Sequence, residues 1–162
     1  MASPPWWKGS RGEWYVIAQF GLFLLIGLGP STWPGLPDWP TWLGRVGSPL
    51  GGVLMGLGAL LALAGLVYLG ANLTPLPYPK DDIRLVERGA YRLVRHPIYG
   101  GLILAACGWA LWRQGWLTLG YAALLFLLFD RKASREEAWL RSRFPQYEAY
   151  RRRVRKFIPF LY

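Results

Sequence analysis

From Leu50 to Ala71 the chain runs through 22 residues without a charged side chain. At about 1.5 Å per residue, a helix of that length crosses the roughly 30 Å of a bilayer's hydrocarbon. No other stretch constrains the fold as strongly, because a backbone in lipid must satisfy its own hydrogen bonds and is helical there. Three shorter apolar runs accompany it: Trp14 to Gly29, Ile98 to Trp112 and Trp116 to Phe129. A hydrophobic share of 53% with 10 Trp suits a chain solvated largely by lipid. The expected fold is an all-α integral membrane protein with about four transmembrane helices, near 14–29, 50–71, 96–112 and 116–130. A cytoplasmic, amphipathic helical tail follows the last of them.

The charge pattern sets the orientation. All of the 19 Lys and Arg except Arg45 and Arg113 lie before the first run, between the second and third, or after the fourth. The positive-inside rule then puts both termini, the connector and the tail in the cytoplasm. A net charge of +10 can signal nucleic acid. Here the basic residues flank apolar spans, so the bilayer and its anionic headgroups are the expected partner and nucleic acid is not. Residues 1–71 read as a pair of N-terminal helices, and 72–162 as a core that carries the chemistry.

Local signals refine this plan. Pro30 to Pro49 reads as a loop, with Trp33, Trp39 and Trp42 suited to the interface. Gly52-x-x-x-Gly56, with Gly58, Ala62 and Gly65, would let another helix approach closely. Arg113-Gln114-Gly115 is so short a joint that the last two spans must form an antiparallel hairpin. Both spans are short and are expected to continue, backward towards Val94 and forward through Asp130. The tail helix from Arg131 should break near Phe144-Pro145. Tyr147, Tyr150, Val154, Phe157 and Ile158 then suggest a second amphipathic run, and Arg151 to Arg153 with Arg155 and Lys156 a headgroup-binding edge. Asn72-Leu73-Thr74 matches a glycosylation acceptor that cytoplasmic placement would leave unused. The first run with its basic lead resembles a signal-peptide core, but no small-residue cleavage site follows it.

Chemistry concentrates in Gly89 to Gly101, which holds the one histidine, His96. Pro97 can open a helix, since its missing N–H is a donor the first turn leaves unpaired. The free N–H groups and positive dipole end of such a helix mouth suit an anionic group. The same Arg, His and Tyr residues also suit a snorkelling interfacial anchor. Across the hairpin, Glu136 and Glu137 lie about two turns past the last apolar residue and can bend back over His96. A carboxylate pair beside a histidine fits acid–base work or a solvated helix face. One His and one Cys exclude the usual zinc sites, and Cys107 reads as an apolar filler. No nucleophile elbow surrounds a serine, and no G-x-G-x-x-G follows a strand.

Gly89-x-Tyr91-x-x-x-Arg95-His96-Pro97-x-Tyr99, with Glu136-Glu137-x-x-Leu140-x-x-x-Phe144, Tyr147, Tyr150, Val154 and Ile158-Pro159, closely resembles the isoprenylcysteine carboxyl methyltransferase family, in its bacterial branch. That family is related to the phospholipid methyltransferases. The resemblance covers Asn72 to Pro159. It implies S-adenosylmethionine (SAM) as methyl donor and a lipophilic, membrane-embedded acceptor that presents a carboxylate, amine or hydroxyl. By the same resemblance Arg84, Leu85 and Val86 line the cofactor, and Tyr91, His96, Pro97, Ile98 and Tyr99 contact it. Glu136, with Glu137 beside it, holds its cationic end. Lys132, with Arg131 beside it, orients the acceptor. Two alternatives stand next to this reading. One is an NADPH-dependent reductase of the sterol type, against which the apolar Gly100-Gly101-Leu102-Ile103 speaks. The other is a non-catalytic lipid-binding membrane protein.

Overall fold

A computed structural model describes residues 12–74 and 84–162. Lys8 and Arg11, and the connector residues Lys80 to Asp82, lie outside that range. The described residues form five α-helices: α1 (Glu13–Leu28), α2 (Thr41–Leu69), α3 (Pro97–Arg113), α4 (Trp116–Arg143) and α5 (Tyr147–Arg153). Short 3-10 turns cover Gly70–Asn72 and Gly89–Arg92. In space, α2 lies along α3, α3 along α4, and α4 along α1. Among the described residues one helical stretch, Thr41–Asn72, is long and apolar enough to cross a bilayer, and α1 is apolar but shorter.

The packing of α2 is inside out by the standards of a water-soluble protein. Its buried residues are Gly47, Gly51, Gly58, Ala62 and Gly65, while Val53, Leu57, Leu60, Leu63 and Val67 are exposed. Gly51, Gly58 and Gly65 recur every seven residues and meet α3 in antiparallel order. A Cβ on Gly58 would stand 2.5 Å from the Gly101 carbonyl oxygen, and one on Gly101 would stand 2.4 Å from that of Gly58. Gly51 and Gly108 repeat the arrangement two turns away, at 2.5 and 2.6 Å. A seven-residue period keeps one seam against the partner along its whole length, and glycine lets the two backbones touch.

The expected Gly52-x-x-x-Gly56 pair is not this seam. Gly56 faces open space and Gly52 meets only the Trp112 ring. The expected loop to Pro49 is also corrected, since α2 begins at Thr41 and carries Pro49 inside it. Pro49 removes one helical hydrogen bond, and the turns before it pack against the end of α3. Gly44 sits under the Gln114 side chain, and Gly47 under Trp39 and the Leu111 carbonyl.

Around α3 and α4 the core is conventional. Ala106, Ala122, Leu125, Phe129, Ala133 and Phe157 are buried together, with Phe23 and Ile26 of α1 and Cys107 of α3 packed on them. Trp109 donates its indole N–H to the Ile26 carbonyl at 2.8 Å, tying α1 to α3. The joint between α3 and α4 is as short as its sequence suggests. Gln114 turns left-handed at φ 50, and its N–H caps the end of α3. Helix α4 does run on through Asp130 to Arg143, with Phe144 as its extended C-cap before Pro145 and Arg141 and Arg143 in its last turn.

Two expectations about the segments before α3 and after α5 fail. Helix α3 does not reach back to Val94, because the residue before a proline is pushed out of the helical region. His96 accordingly sits at φ −128, ψ 67 as the N-cap. Nor does Val154 to Ile158 continue a helix. The chain leaves α5 extended, and Arg155 pairs with Val94 in an isolated parallel bridge. Arg95 and His96 donate their N–H groups to the carbonyls of Arg155 (2.7 Å) and Lys156 (3.1 Å). Those two bonds fasten the histidine to the tail.

Candidate active site

The start of α3 and the polar half of α4 enclose a cavity of about 310 Å³, at the lower end of the range for ligand pockets. Its lining is mainly apolar, with Leu69, Leu85, Val86, Ile98, Leu102 and Leu140 as its walls. Polar groups enter from several elements: Gln19 of α1, Asn72 and Arg84 of the connector, and Tyr91, His96, Tyr99, Lys132, Glu136, Tyr147 and Tyr150.

His96 is the pivot. Its Nε2 lies 3.0 Å from Glu137 Oε1 and its Nδ1 lies 3.5 Å from Glu136 Oε2. The ring stacks on Tyr99 at 5.6 Å between centroids, and Tyr99 stacks in turn on Phe129 at 4.6 Å. The Tyr99 hydroxyl donates to Glu136 Oε1. Two carboxylates adjacent in sequence thus reach one imidazole from different directions.

Their surroundings differ. Glu137 also accepts from Arg95 Nε at 2.9 Å and lies 3.5 Å from Arg151 Nε. Burial works to raise its pKa, but hydrogen bonding and charge from His96, and then from Arg95, outweigh burial and hold it at about 2. Glu136 is pushed the other way. Burial raises it, only partly offset by His96, Tyr99 and Lys132, while the charge of Glu137 raises it further. Glu136 lines the cavity and Glu137 faces away from it.

Lys132 is buried to 1% exposure. Its ammonium donates to Gln19 Oε1 at 2.8 Å and stands 5.1 Å above the Tyr99 ring. Burial lowers its pKa, and the Glu136 charge opposes that shift. Although Lys132 and Glu136 are one turn apart on α4, no ion pair within 4 Å joins them among the described residues. Among the described residues one buried tyrosine hydroxyl has no hydrogen-bond partner: Tyr147 Oη. Tyr150, in contrast, donates to the Tyr91 carbonyl at 2.6 Å.

The candidate residues therefore divide. Arg84, Leu85, Val86, Tyr91, His96, Ile98, Tyr99, Lys132 and Glu136 all line the cavity. Pro97 does not, being buried against Gly65 of α2. Arg131 is exposed on α4 and Glu137 supports His96 from behind. Ten lining residues lie outside the sequence-derived set, six of them polar: Gln19, Asn72, Thr74, Arg95, Tyr147 and Tyr150. Gln19 carried a signal, as the one amide in the first apolar run, since such a residue within a span usually bonds a neighbouring helix. Asn72 donates to the Arg84 carbonyl at 2.9 Å, which only three-dimensional proximity reveals.

Fold and site together define an all-helical, membrane-type protein with a tyrosine- and carboxylate-lined pocket at one end of its helices. The family model described as phospholipid methyltransferase matches residues 47–147, and the chain belongs to that family. It is 31% identical, over 91% of its length, to the cobalt-zinc-cadmium resistance protein CzcN of Cupriavidus metallidurans. It is 30% identical over 70% of its length to a probable protein-S-isoprenylcysteine O-methyltransferase of Oryza sativa. To the protein-S-isoprenylcysteine O-methyltransferase of Schizosaccharomyces pombe it is 33% identical over 65% of its length. The matched region spans 62% of the length of each of the first two relatives and 46% of the third.

Proposed function

We propose that this protein is a SAM-dependent methyltransferase whose acceptor is a lipophilic molecule held in the bilayer. The observation that carries this reading is Glu136. It is a largely buried carboxylate, held by Tyr99, in a cavity that is otherwise apolar and aromatic. A buried acid left with a raised pKa is under-compensated, and a cationic ligand group supplies the missing charge. The unpartnered Tyr147 hydroxyl offers a second bond in the same cavity. Leu85, Val86 and Ile98 present apolar surface suited to a flat heterocycle. The residues present therefore fit SAM.

When bound, SAM supplies a methyl group on a positively charged sulfur. The chain's own part is to bind and align. Glu136 takes the cationic end, and Tyr99 and His96 fix its carboxylate. Lys132, one turn earlier on α4, faces an anionic or hydroxyl-bearing acceptor. Alignment alone can supply much of the rate of an in-line displacement. An ionised carboxylate acceptor needs no base, whereas an amine or hydroxyl acceptor would draw on His96 or a glutamate.

In this reading 72–162 is the core that holds SAM, with Gln19 and Leu69 as the contribution of 1–71. The four spans 14–29, 50–71, 96–112 and 116–130 lie in a bacterial inner membrane with both termini in the cytoplasm. Large apolar side chains facing outward on α1 and α2 support that placement. Titration of the purified protein tests the reading: it should bind SAM and S-adenosylhomocysteine, and NADPH should not compete. Displacement by NADPH would favour the reductase, and failure to bind either would remove the enzyme.

A further inference from the structure

A second cavity, of about 370 Å³, lies on the other side of the His96–Glu137 pair. It is a groove between α4, α5 and the extended tail, and its charge is unbalanced. Arg95, Arg141, Arg151, Arg152, Arg155 and Lys156 line it, against Glu137 and Glu148. Glu137 is shared by Arg95 and Arg151, Glu148 by Arg151 and Arg152, and Lys156 bonds Asp130. Among the described residues no carboxylate stands within 4 Å of Arg141 or Arg155. The backbone under Arg155 is pinned by its bridge to Val94, so that guanidinium starts from a fixed base.

The groove's rim has the opposite character. Leu161 and Tyr162 line its edge, and Phe160 beside them is 93% exposed. Ile158 and Leu161 are exposed as well. Lys156 and Tyr162 both reach Asp130, at the end of the last apolar run. The apolar rim therefore lies at the depth where hydrocarbon gives way to headgroups. Guanidinium groups without a carboxylate partner, beside an apolar tip, match the two halves of an anionic phospholipid. A soluble phosphate would use the arginines and leave Phe160 and Leu161 in water.

We propose that this groove is a binding site for the phosphate of an anionic phospholipid headgroup, with Ile158, Phe160 and Leu161 seated among the acyl chains. It differs from the sequence-derived idea of a basic edge. Arg153 takes no part, because it pairs with Glu87 at 3.0 Å, and Arg141 of α4 joins instead. The site rests on the bilayer placement proposed above.

Native mass spectrometry of the full chain, released from nanodiscs of phosphatidylcholine with phosphatidylglycerol, tests it. Flotation with pure phosphatidylcholine vesicles checks bilayer insertion separately, so loss of that placement is distinguishable from loss of the site. Phosphatidylglycerol should remain bound where phosphatidylcholine does not. The Arg141→Gln/Arg155→Gln double variant should weaken retention about thirtyfold. Phe160→Ser should also weaken it with the groove's charge unchanged, which keeps the test valid if the double variant folds poorly. Equal retention of both lipids, or unchanged retention in both variants, would overturn the site. Displacement of the lipid by millimolar inorganic phosphate alone would overturn its lipid character.

Discussion

Glu136 and Glu137 are consecutive on α4, yet they meet His96 at different ring nitrogens, Nδ1 at 3.5 Å and Nε2 at 3.0 Å. One faces the cavity and the other anchors the histidine to Arg95. Substitution should separate the two roles. Glu136→Gln should leave the fold intact and weaken SAM binding by about 1–3 kcal/mol, as loss of a charged hydrogen bond does. Glu137→Gln leaves Arg95 buried without its carboxylate and should cost roughly 3 kcal/mol of stability. Thermal unfolding and SAM titration of the two variants check this. Equal behaviour in both measurements would contradict it.

The same pair predicts a pH response. Glu137 titrates near 2 in the folded protein, against an ordinary 4.5. A depressed carboxylate contributes stability that is complete above its unfolded pKa and is lost as pH falls through the folded one. The window is therefore pH 4.5 down to about 2. Glu136, raised by burial, has the opposite sign and loses stability as pH rises. The parent's melting temperature should fall across the acid window, and Glu137→Gln should flatten that fall. An equally steep fall in the variant would show that other groups govern acid stability.

Gln19 and Tyr99 hold Lys132 and Glu136 apart. An i,i+4 ammonium and carboxylate ordinarily pair on a helix, but here Gln19 takes the ammonium and Tyr99 the carboxylate. Gln19→Ala should free Lys132 to close on Glu136, weakening SAM binding and use of an anionic acceptor together, each about tenfold. Lys132→Met should spare SAM binding and impair the anionic acceptor alone. If Gln19→Ala behaves as the parent, α1 has no part in the site.

The α2–α3 seam offers a test with a built-in control. Gly58→Ala drives a methyl to 2.5 Å from the Gly101 carbonyl, and overpacking of that kind costs about 1–3 kcal/mol. Gly56→Ala meets nothing within 4 Å and should be neutral or slightly stabilising. Thermal stability in a single detergent distinguishes them, and equal losses would place the seam elsewhere.

Much of this architecture was legible from residue order alone. Pro97 announced the start of α3, Phe144-Pro145 the end of α4, and the short Arg113 to Gly115 joint the hairpin that carries His96 towards Glu136 and Glu137. Other features depend on contacts that no local pattern encodes. Pro49 looks like a helix breaker until Gly44 and Gly47 are seen against α3. The Gly52/Gly56 spacing masks a seven-residue glycine repeat whose function is visible only opposite Gly101 and Gly108. Val154 to Ile158 has helical spacing, but the isolated bridge between Arg155 and Val94 holds its start extended and bends follow. The separation of Glu136 from Glu137 follows from a rotation of about 100° between successive helix positions. Which of them meets the cavity depends on where Arg95 and Tyr99 stand.

Transfer of label is the most direct test of the central claim. Membranes containing the protein, incubated with methyl-labelled SAM, should yield a labelled lipid in an organic extract, identified by mass spectrometry. Glu136→Gln, at matched expression and thermal stability, should lose most of that product at limiting SAM. An extract without labelled lipid from the parent, or equal labelling by the variant, would contradict the assignment of this pocket to methyl transfer.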